Sequence, residues 1–167
     1  MSITESLRFD NVGITFSDKL VSAVVYPLGE TKLYCLGVVV TCQHFDWQAS
    51  SMAQIFNSLA QIFSAAEHLV LQHNVHMSSS EEHNEVDRTE WRKLLRPFIN
   101  VKTLRIEEGL VKDLSRCLEL EDGELPLELL PELQELDYIW SDISGDEFTS
   151  FIDVRQNAGR PVTLFRL

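Results

Sequence analysis

Residues 101–106 read Val101-Lys102-Thr103-Leu104-Arg105-Ile106, and the fold is organised around this stretch. Apolar and polar residues alternate along it, which is typical of a β-strand with one buried face. We predict that Leu104 and Ile106 point into the core and that Thr103 and Arg105 point away from it. The stretch follows directly on an amphipathic helical pattern, so it marks the junction of a helix and a strand.

Similar stretches recur along the chain. Their alignment places four leucines at equivalent positions, separated by 35, 32 and 28 residues: Leu69, Leu104, Leu136 and Leu164. A helical pattern lies in each gap, and strand–helix units at such a period are typical of leucine-rich repeats, whose stacked units bury one continuous core. The same alternation suits a doubly wound sheet. Against that alternative, no Gly-rich phosphate loop follows any strand, and the strands are too polar for burial on both faces.

Four helical patterns are visible in the sequence. The first begins near Ser51, which has capping-box spacing to Gln54. The second should be short, because Pro97 disfavours helical geometry at the residue before it. The apolar faces are Met52, Ile55, Phe56, Leu59, Ile62 and Phe63; Trp91, Leu94, Leu95 and Phe98; Leu110, Val111, Leu114, Cys117 and Leu118; and Phe148, Phe151, Ile152 and Arg155.

Residues 1–45 have strand patterns and no helical period. Alternating or Val-rich runs at 6–9, 13–16, 20–26 and 32–41 predict strands. We therefore expect one domain over residues 1–167, with a strand-rich part at 1–45 and strand–helix repeats at 46–167. The predicted fold class is α/β: an irregular leucine-rich-repeat-like solenoid whose curved, mainly parallel sheet has helices on one side.

The chain carries a strong negative charge. It has 26 acidic and 14 basic residues and a formal net charge of −12. Binding to phosphate groups draws on clustered Lys and Arg, so the composition argues against nucleic acid and against a membrane as partners. Eleven acidic residues lie between Glu107 and Asp137, against only Lys112 and Arg116. This acidic stretch is either a solvated surface or a docking surface for a basic protein partner.

The three cysteines indicate a reducing compartment. The number of cysteines is odd, and Cys35, Cys42 and Cys117 form no C-x-x-C motif. Because each has apolar neighbours, we expect buried free thiols. The N-terminus lacks the basic and apolar regions of a secretory signal, and no apolar run approaches the length of a membrane span. We expect a cytoplasmic or nuclear protein.

No constellation of catalytic or metal-binding residues stands out. His73 and His76 match no metal-binding template. Cys42 and His44 could share a strand face, but no orienting group or oxyanion donor accompanies them. We therefore predict no cofactor, no metal and no enzymatic activity. The stretch Ser78–Glu82 is typical of acid-directed phosphorylation sites, and it lies in a polar segment that we expect to be an exposed loop.

The function that this pattern favours is protein–protein recognition. The residues predicted to carry it face outward on the strands or follow a strand end: Val70, Thr103, Arg105, Glu135, Asp137 and Trp140. Two alternatives remain, namely a degenerate or truncated family member without independent function and, less favoured, an enzyme with an unrecognised site. The sequence names neither the partner nor the oligomeric state.

Three segments, residues 85–106, 122–133 and 148–162, resemble the C-terminal leucine-rich-repeat-like region of F-box-type proteins of mushrooms (basidiomycetes). The resemblance covers roughly Leu36 to the C-terminus. It implies a leucine-rich-repeat-like α/β fold and, in full-length members, substrate recognition beside an F-box that docks a ubiquitin-ligase adaptor. An F-box is helical, whereas the N-terminal third of this chain has strand patterns. We therefore expect the substrate-binding part of such a receptor, without an F-box in this chain.

Overall fold

A computed structural model of the protein describes residues 9–27, 36–74, 88–139 and 147–167, with the side chain of Glu108 left undescribed. Within these ranges there are seven strands: β1 (Asn11–Ser17), β2 (Leu20–Tyr26), β3 (Leu36–Thr41), β4 (His68–Asn74), β5 (Thr103–Ile106), β6 (Glu135–Tyr138) and β7 (Thr163–Arg166). The described helices are α1 (Phe45–Ser58), α2 (Ala60–Phe63), α3 (Arg88–Leu95), α4 (Val111–Leu118) and α5 (Thr149–Asn157), and a 3-10 turn (Glu108–Leu110) precedes α4.

All seven strands form one sheet in the order β3-β2-β1-β4-β5-β6-β7. The first three strands are antiparallel to one another. From β1 onward the neighbouring pairs are parallel, and β4 to β7 follow one another in the sheet as they do in the chain. The prediction of an α/β fold with a mainly parallel sheet is therefore confirmed.

The predicted strand alignment is also confirmed. Leu69 pairs with Leu104, Leu104 with Leu136, and Leu136 with Leu164, so the four aligned leucines form one row across β4 to β7. The first three are fully buried or nearly so. Since one buried leucine contributes about 1.5–3 kcal/mol, this row fixes the strand register strongly.

Helices cover one face of the sheet. Alternate residues of β1, β2, β4, β5 and β6 belong to a single apolar cluster that also contains the inner faces of α1, α3 and α4. The ring centroids of Phe16 in β1 and Trp91 in α3 are 5.4 Å apart. Those of Tyr138 in β6 and Phe148, just before α5, are 5.3 Å apart. The remaining strand residues lie on the opposite face, which we call the open face.

Helix α1 begins earlier than predicted. It starts at Phe45 rather than near Ser51, and no side chain caps its first turn. The Phe45 ring packs edge-on against Phe16 at 5.1 Å. The Gln48 side chain donates hydrogen bonds to the carbonyls of Ser17 and Cys42. These tertiary contacts add nearly two turns to the helix, and they outweigh the local capping signal at Ser51.

Helix α3 ends where the sequence predicts. Its last residue is Leu95, two positions before Pro97, and its predicted apolar face is fully buried. The longest described helix, α1, has 14 residues. No helix in the described ranges combines the length and the apolar character needed to cross a membrane.

Candidate functional site

The open face brings together most of the residues predicted to bind a partner. Val70, Arg105 and Asp137 are direct neighbours across β4, β5 and β6, and Thr103 lies beside Glu135 in the adjacent row. Arg105 and Glu135 are exposed, and the other three are half-buried. The sixth predicted residue, Trp140, lies outside the described residues.

Charge divides the open face into two halves. The described strands β2 and β3 contain no charged residue, and β1 contains none either. The charged half lies at β5 and β6, where Arg105, Glu135 and Asp137 point outward and Glu107 follows directly after β5. This half therefore contains three carboxylates and one guanidinium group.

A depression of about 480 Å³ lies where the two halves meet. It is lined by residues of four strands and the residue after β5: Gly13, Thr15, Val24, Tyr26, Val70, Gln72, Arg105 and Glu107. Gly13 pairs with Val24 on one side and with Val70 on the other, so it lies at the floor. A Cβ atom placed on Gly13 would meet no heavy atom within 4 Å. The missing side chain of Gly13 therefore creates part of this space.

One wall of the depression is held rigid by a hydrogen-bonded row. The Thr15 hydroxyl donates to Oε1 of Gln72 at 3.2 Å, and Nε2 of Gln72 donates to Oε1 of Glu107 at 2.9 Å. The Gln72 amide is thus bonded at both ends. This row connects β1, β4 and the end of β5, and it fixes the position of the Glu107 carboxylate.

Arg105, by contrast, has an exposed side chain that makes no hydrogen bond or ion pair with any described residue. Asp137 is its direct neighbour on β6, and Glu107 lies two residues further along its own strand direction. An exposed arginine on a rigid sheet is the kind of residue that concentrates binding energy at protein interfaces.

Several carboxylates of the acidic stretch between Glu107 and Asp137 form ion pairs on the helix-covered side of the sheet. Arg88, the first residue of α3, holds the Glu124 carboxylate through two bonds of 2.8 and 2.5 Å. Arg92 contacts Glu124 at 3.5 Å and Glu128 at 3.2 Å. The hydrogen bonds from Arg88 lower the pKa of Glu124 from 4.5 to about 2, and the same contact raises the pKa of Arg88. These carboxylates are neutralised within the molecule, whereas Glu135 and Asp137 have no such partner among the described residues.

The buried side chain of Arg155 stabilises the fold through hydrogen bonds to the backbone. It lies on α5 with no solvent exposure and donates hydrogen bonds to three backbone carbonyls, those of Leu130, Pro131 and Leu133. Burial lowers its pKa. The side chain ties α5 to the turn before β6, in which Leu130 has a positive φ of 49°.

The histidines and the Cys42–His44 pair that the sequence offers as metal ligands or nucleophiles form no such site among the described residues. No group of three or more His, Cys, Asp or Glu side chains in the described ranges could hold a metal ion. The Cys42 thiol contacts the backbone carbonyl of His44 at 3.6 Å, and the His44 ring packs on Trp47 instead. His76 and the Ser78–Glu82 stretch lie outside the described residues.

Sequence reasoning did not identify the depression. Gly13 in a strand pattern is a signal for close backbone approach or an open site, and Val24 and Tyr26 alternate with buried residues in a way that is visible in the sequence. That these residues line one depression together with Arg105 could not be predicted, because it depends on β1 being inserted between β2 and β4.

Comparisons of the chain with protein-family models, with curated proteins and with solved structures returned no significant match.

Proposed function

We propose that this chain is a non-enzymatic protein-recognition module that binds its partner on the open face of the sheet. The observation that supports the proposal most strongly is the asymmetry of the sheet. One face is buried under helices, and the other presents side chains of a continuous sheet, including Arg105, which pairs with no described residue. Such a surface offers a partner fixed contacts without an entropic cost of ordering loops.

We further propose that the strand–helix units stack as an irregular leucine-rich-repeat-like solenoid. Where the β4 unit meets the β5 unit, equivalent residues contact one another at a spacing of 35 or 36 positions. Examples are His68 with Thr103, and Gln72 with Glu107, both at 35. The Asn100 side chain likewise bonds the carbonyl of Ser64 at a separation of 36. Contacts between equivalent residues of neighbouring units are what stacked repeats produce.

The charges of the open face support a basic partner. Glu107, Glu135 and Asp137 outnumber Arg105 there, and the whole chain has a net charge of −12. A cationic surface on the partner would meet this half with complementary charge. Such complementarity increases the association rate and makes binding sensitive to salt.

Affinity capture with paired variants tests this function. The double variant Glu135→Arg/Asp137→Arg should lose a basic partner that wild type captures from extract, and the captured amount should fall steeply as salt rises. Asp153→Arg is the matched control, because Asp153 is exposed on α5, on the helix-covered side. The proposal fails if both variants retain the partner equally, or if every captured protein is insensitive to salt.

The resemblance to F-box-type proteins supports a more specific role, the substrate-binding part of a ubiquitin-ligase receptor without an F-box in this chain. Purified chain mixed with the ligase adaptor should then show no direct binding in a pull-down. Direct binding of the adaptor would contradict this assignment.

A further inference from the structure

We propose that the depression above Gly13 is the seat for an aromatic side chain of the protein partner. This inference rests on the proposed function, and it specifies the residue type that the open face recognises. The floor, the walls and the surrounding charges each contribute to the assignment.

The floor suits a flat ring. Gly13 presents bare backbone, and a Cβ there would meet nothing within 4 Å. Its cross-strand neighbours Val24 and Val70 stand two strand spacings apart, about 9.6 Å. An aromatic ring can therefore lie on the Gly13 backbone between two aliphatic walls, much as aromatic side chains cover glycines across strands within sheets.

The ends of the depression favour an aromatic ring over an aliphatic group. Tyr26, 40% exposed, lines the β2 side of the depression, where its ring is available to an aromatic occupant. Arg105 stands at the other end with an exposed guanidinium that no described residue binds. A cation over a ring face stabilises the complex by about 0.5–1 kcal/mol at exposed sites, which an aliphatic side chain cannot provide.

The local charges argue against a carboxylate as the occupant. Arg105 is flanked by Glu107 along the strand and by Asp137 across it, and Gln72 holds the Glu107 carboxylate in place. A partner carboxylate that reached for Arg105 would come close to both acidic groups. A neutral ring can use the guanidinium without this repulsion.

Titration by two-dimensional NMR with N-acetylphenylalaninamide tests the seat directly. Saturable shifts should centre on the amides of Gly13, Val24 and Val70. N-acetylcyclohexylalaninamide, which has a similar shape but no π system, should bind about two- to fivefold more weakly. Gly13→Val should weaken the aromatic probe at least tenfold, and Arg105→Met should remove the preference for it.

Gly37→Val is the matched control. Gly37 is also a strand glycine on the open face with nothing within 4 Å of an added Cβ, but it does not line the depression. It should leave probe binding unchanged. The inference is overturned if Gly13→Val binds the probe like wild type, if the two probes bind equally, or if no saturable shifts occur at these amides.

Partner capture separates this inference from the proposed function. If Glu135→Arg/Asp137→Arg abolishes capture but Gly13→Val does not, the open face binds a partner and the aromatic seat is wrong. If neither variant changes capture, the proposed function itself fails. If both variants abolish it, both proposals are supported.

Discussion

Leu104 and Arg105 are adjacent in the chain and lie in opposite environments. Leu104 has no solvent exposure and pairs with Leu69 and Leu136 in the core, whereas Arg105 is exposed on the open face. Because side chains alternate between the faces of a strand, one step along the backbone changes the consequence of a substitution completely.

We expect Leu104→Asp to unfold the protein. The substitution would bury an unpaired carboxylate among apolar side chains and remove a leucine from the row that sets the strand register, so the cost should exceed about 4 kcal/mol. Arg105→Asp introduces the same group one position later and should remain folded. Circular dichroism with urea unfolding compares the two, and a stable Leu104→Asp protein would refute the predicted role of this leucine.

The Cys117 thiol should be inert in the folded protein. Burial raises its pKa to about 12, and it has no solvent exposure, so very little thiolate exists at pH 8 and reagents have no access. In a variant with Cys35 and Cys42 replaced by serine, reaction with a chromogenic disulfide reagent should follow unfolding. Fast labelling in native buffer would show that α4 opens readily.

At the scale of single elements, helix α1 shows how tertiary contacts override a local signal. The Ser51–Gln54 capping spacing lies inside the helix, not at its start. Gln48, which carries no hydrophobic signal, is 1% exposed and bridges two carbonyls near the ends of β1 and β3. The position of the helix start is thus decided by what the first turn packs against.

Gln48→Ala should destabilise the fold by roughly 1–3 kcal/mol, because two carbonyls lose their donor in a nearly buried place. Ser51→Ala removes the residue that the local pattern marks as a cap, and it should change the free energy of unfolding by less than about 0.5 kcal/mol. Chemical denaturation of the two variants measures both values. If Ser51→Ala destabilised the protein more than Gln48→Ala, Ser51 would be the residue that sets the helix start.

The junction of α3 with the turn after α4 should respond to acid. Because the pKa of Glu124 is lowered to about 2 in the folded protein, its stabilising contribution is present above about pH 4.5 and is lost as the pH falls towards 2. Glu124→Gln should therefore be less stable than wild type by about 1 kcal/mol at pH 7, with a smaller difference at pH 3. Asp122→Asn, at an exposed neighbour, is the control and should be as stable as wild type at pH 7.

At the scale of the whole molecule, the β3 edge of the sheet differs from the edges of most soluble proteins. Edge strands are commonly protected by charged residues, but β3 has none, and no described strand pairs with its outer side. Val39 in β3 is 63% exposed, and Phe165 in β7, at the other edge, is 45% exposed. The uncharged β3 edge is a template for pairing with another strand.

We expect Val39→Lys to reduce self-association at high protein concentration without loss of stability, because a lysine on the edge strand opposes strand addition. Ser22→Lys is the control, since Ser22 pairs directly with Val39 but lies one strand inward. Light scattering over a range of concentrations compares these variants with wild type. Equal scattering by wild type and Val39→Lys would exclude the β3 edge as the association site.

Short-range patterns in the sequence are enough to specify part of this fold. Alternation around Leu104 set the inward and outward residues of β5, and the aligned leucines set the register of β4 to β7. The helical period around Trp91, with Pro97 beyond it, set the extent of α3. Each of these is a local pattern in which the apolar residues form one face, and that face is the one that is buried.

Only the tertiary structure decided which distant residues meet. Either β1 or β3 could have lain beside β4, since both are uncharged strands rich in β-branched or apolar residues. β1 takes this place, with the Phe16 ring against Trp91. That insertion puts Gly13 next to Val70 and two strands from Arg105, with Val70 between them. The depression exists because strand order is set by packing and by hydrogen bonds between segments far apart in the chain, which no local pattern encodes.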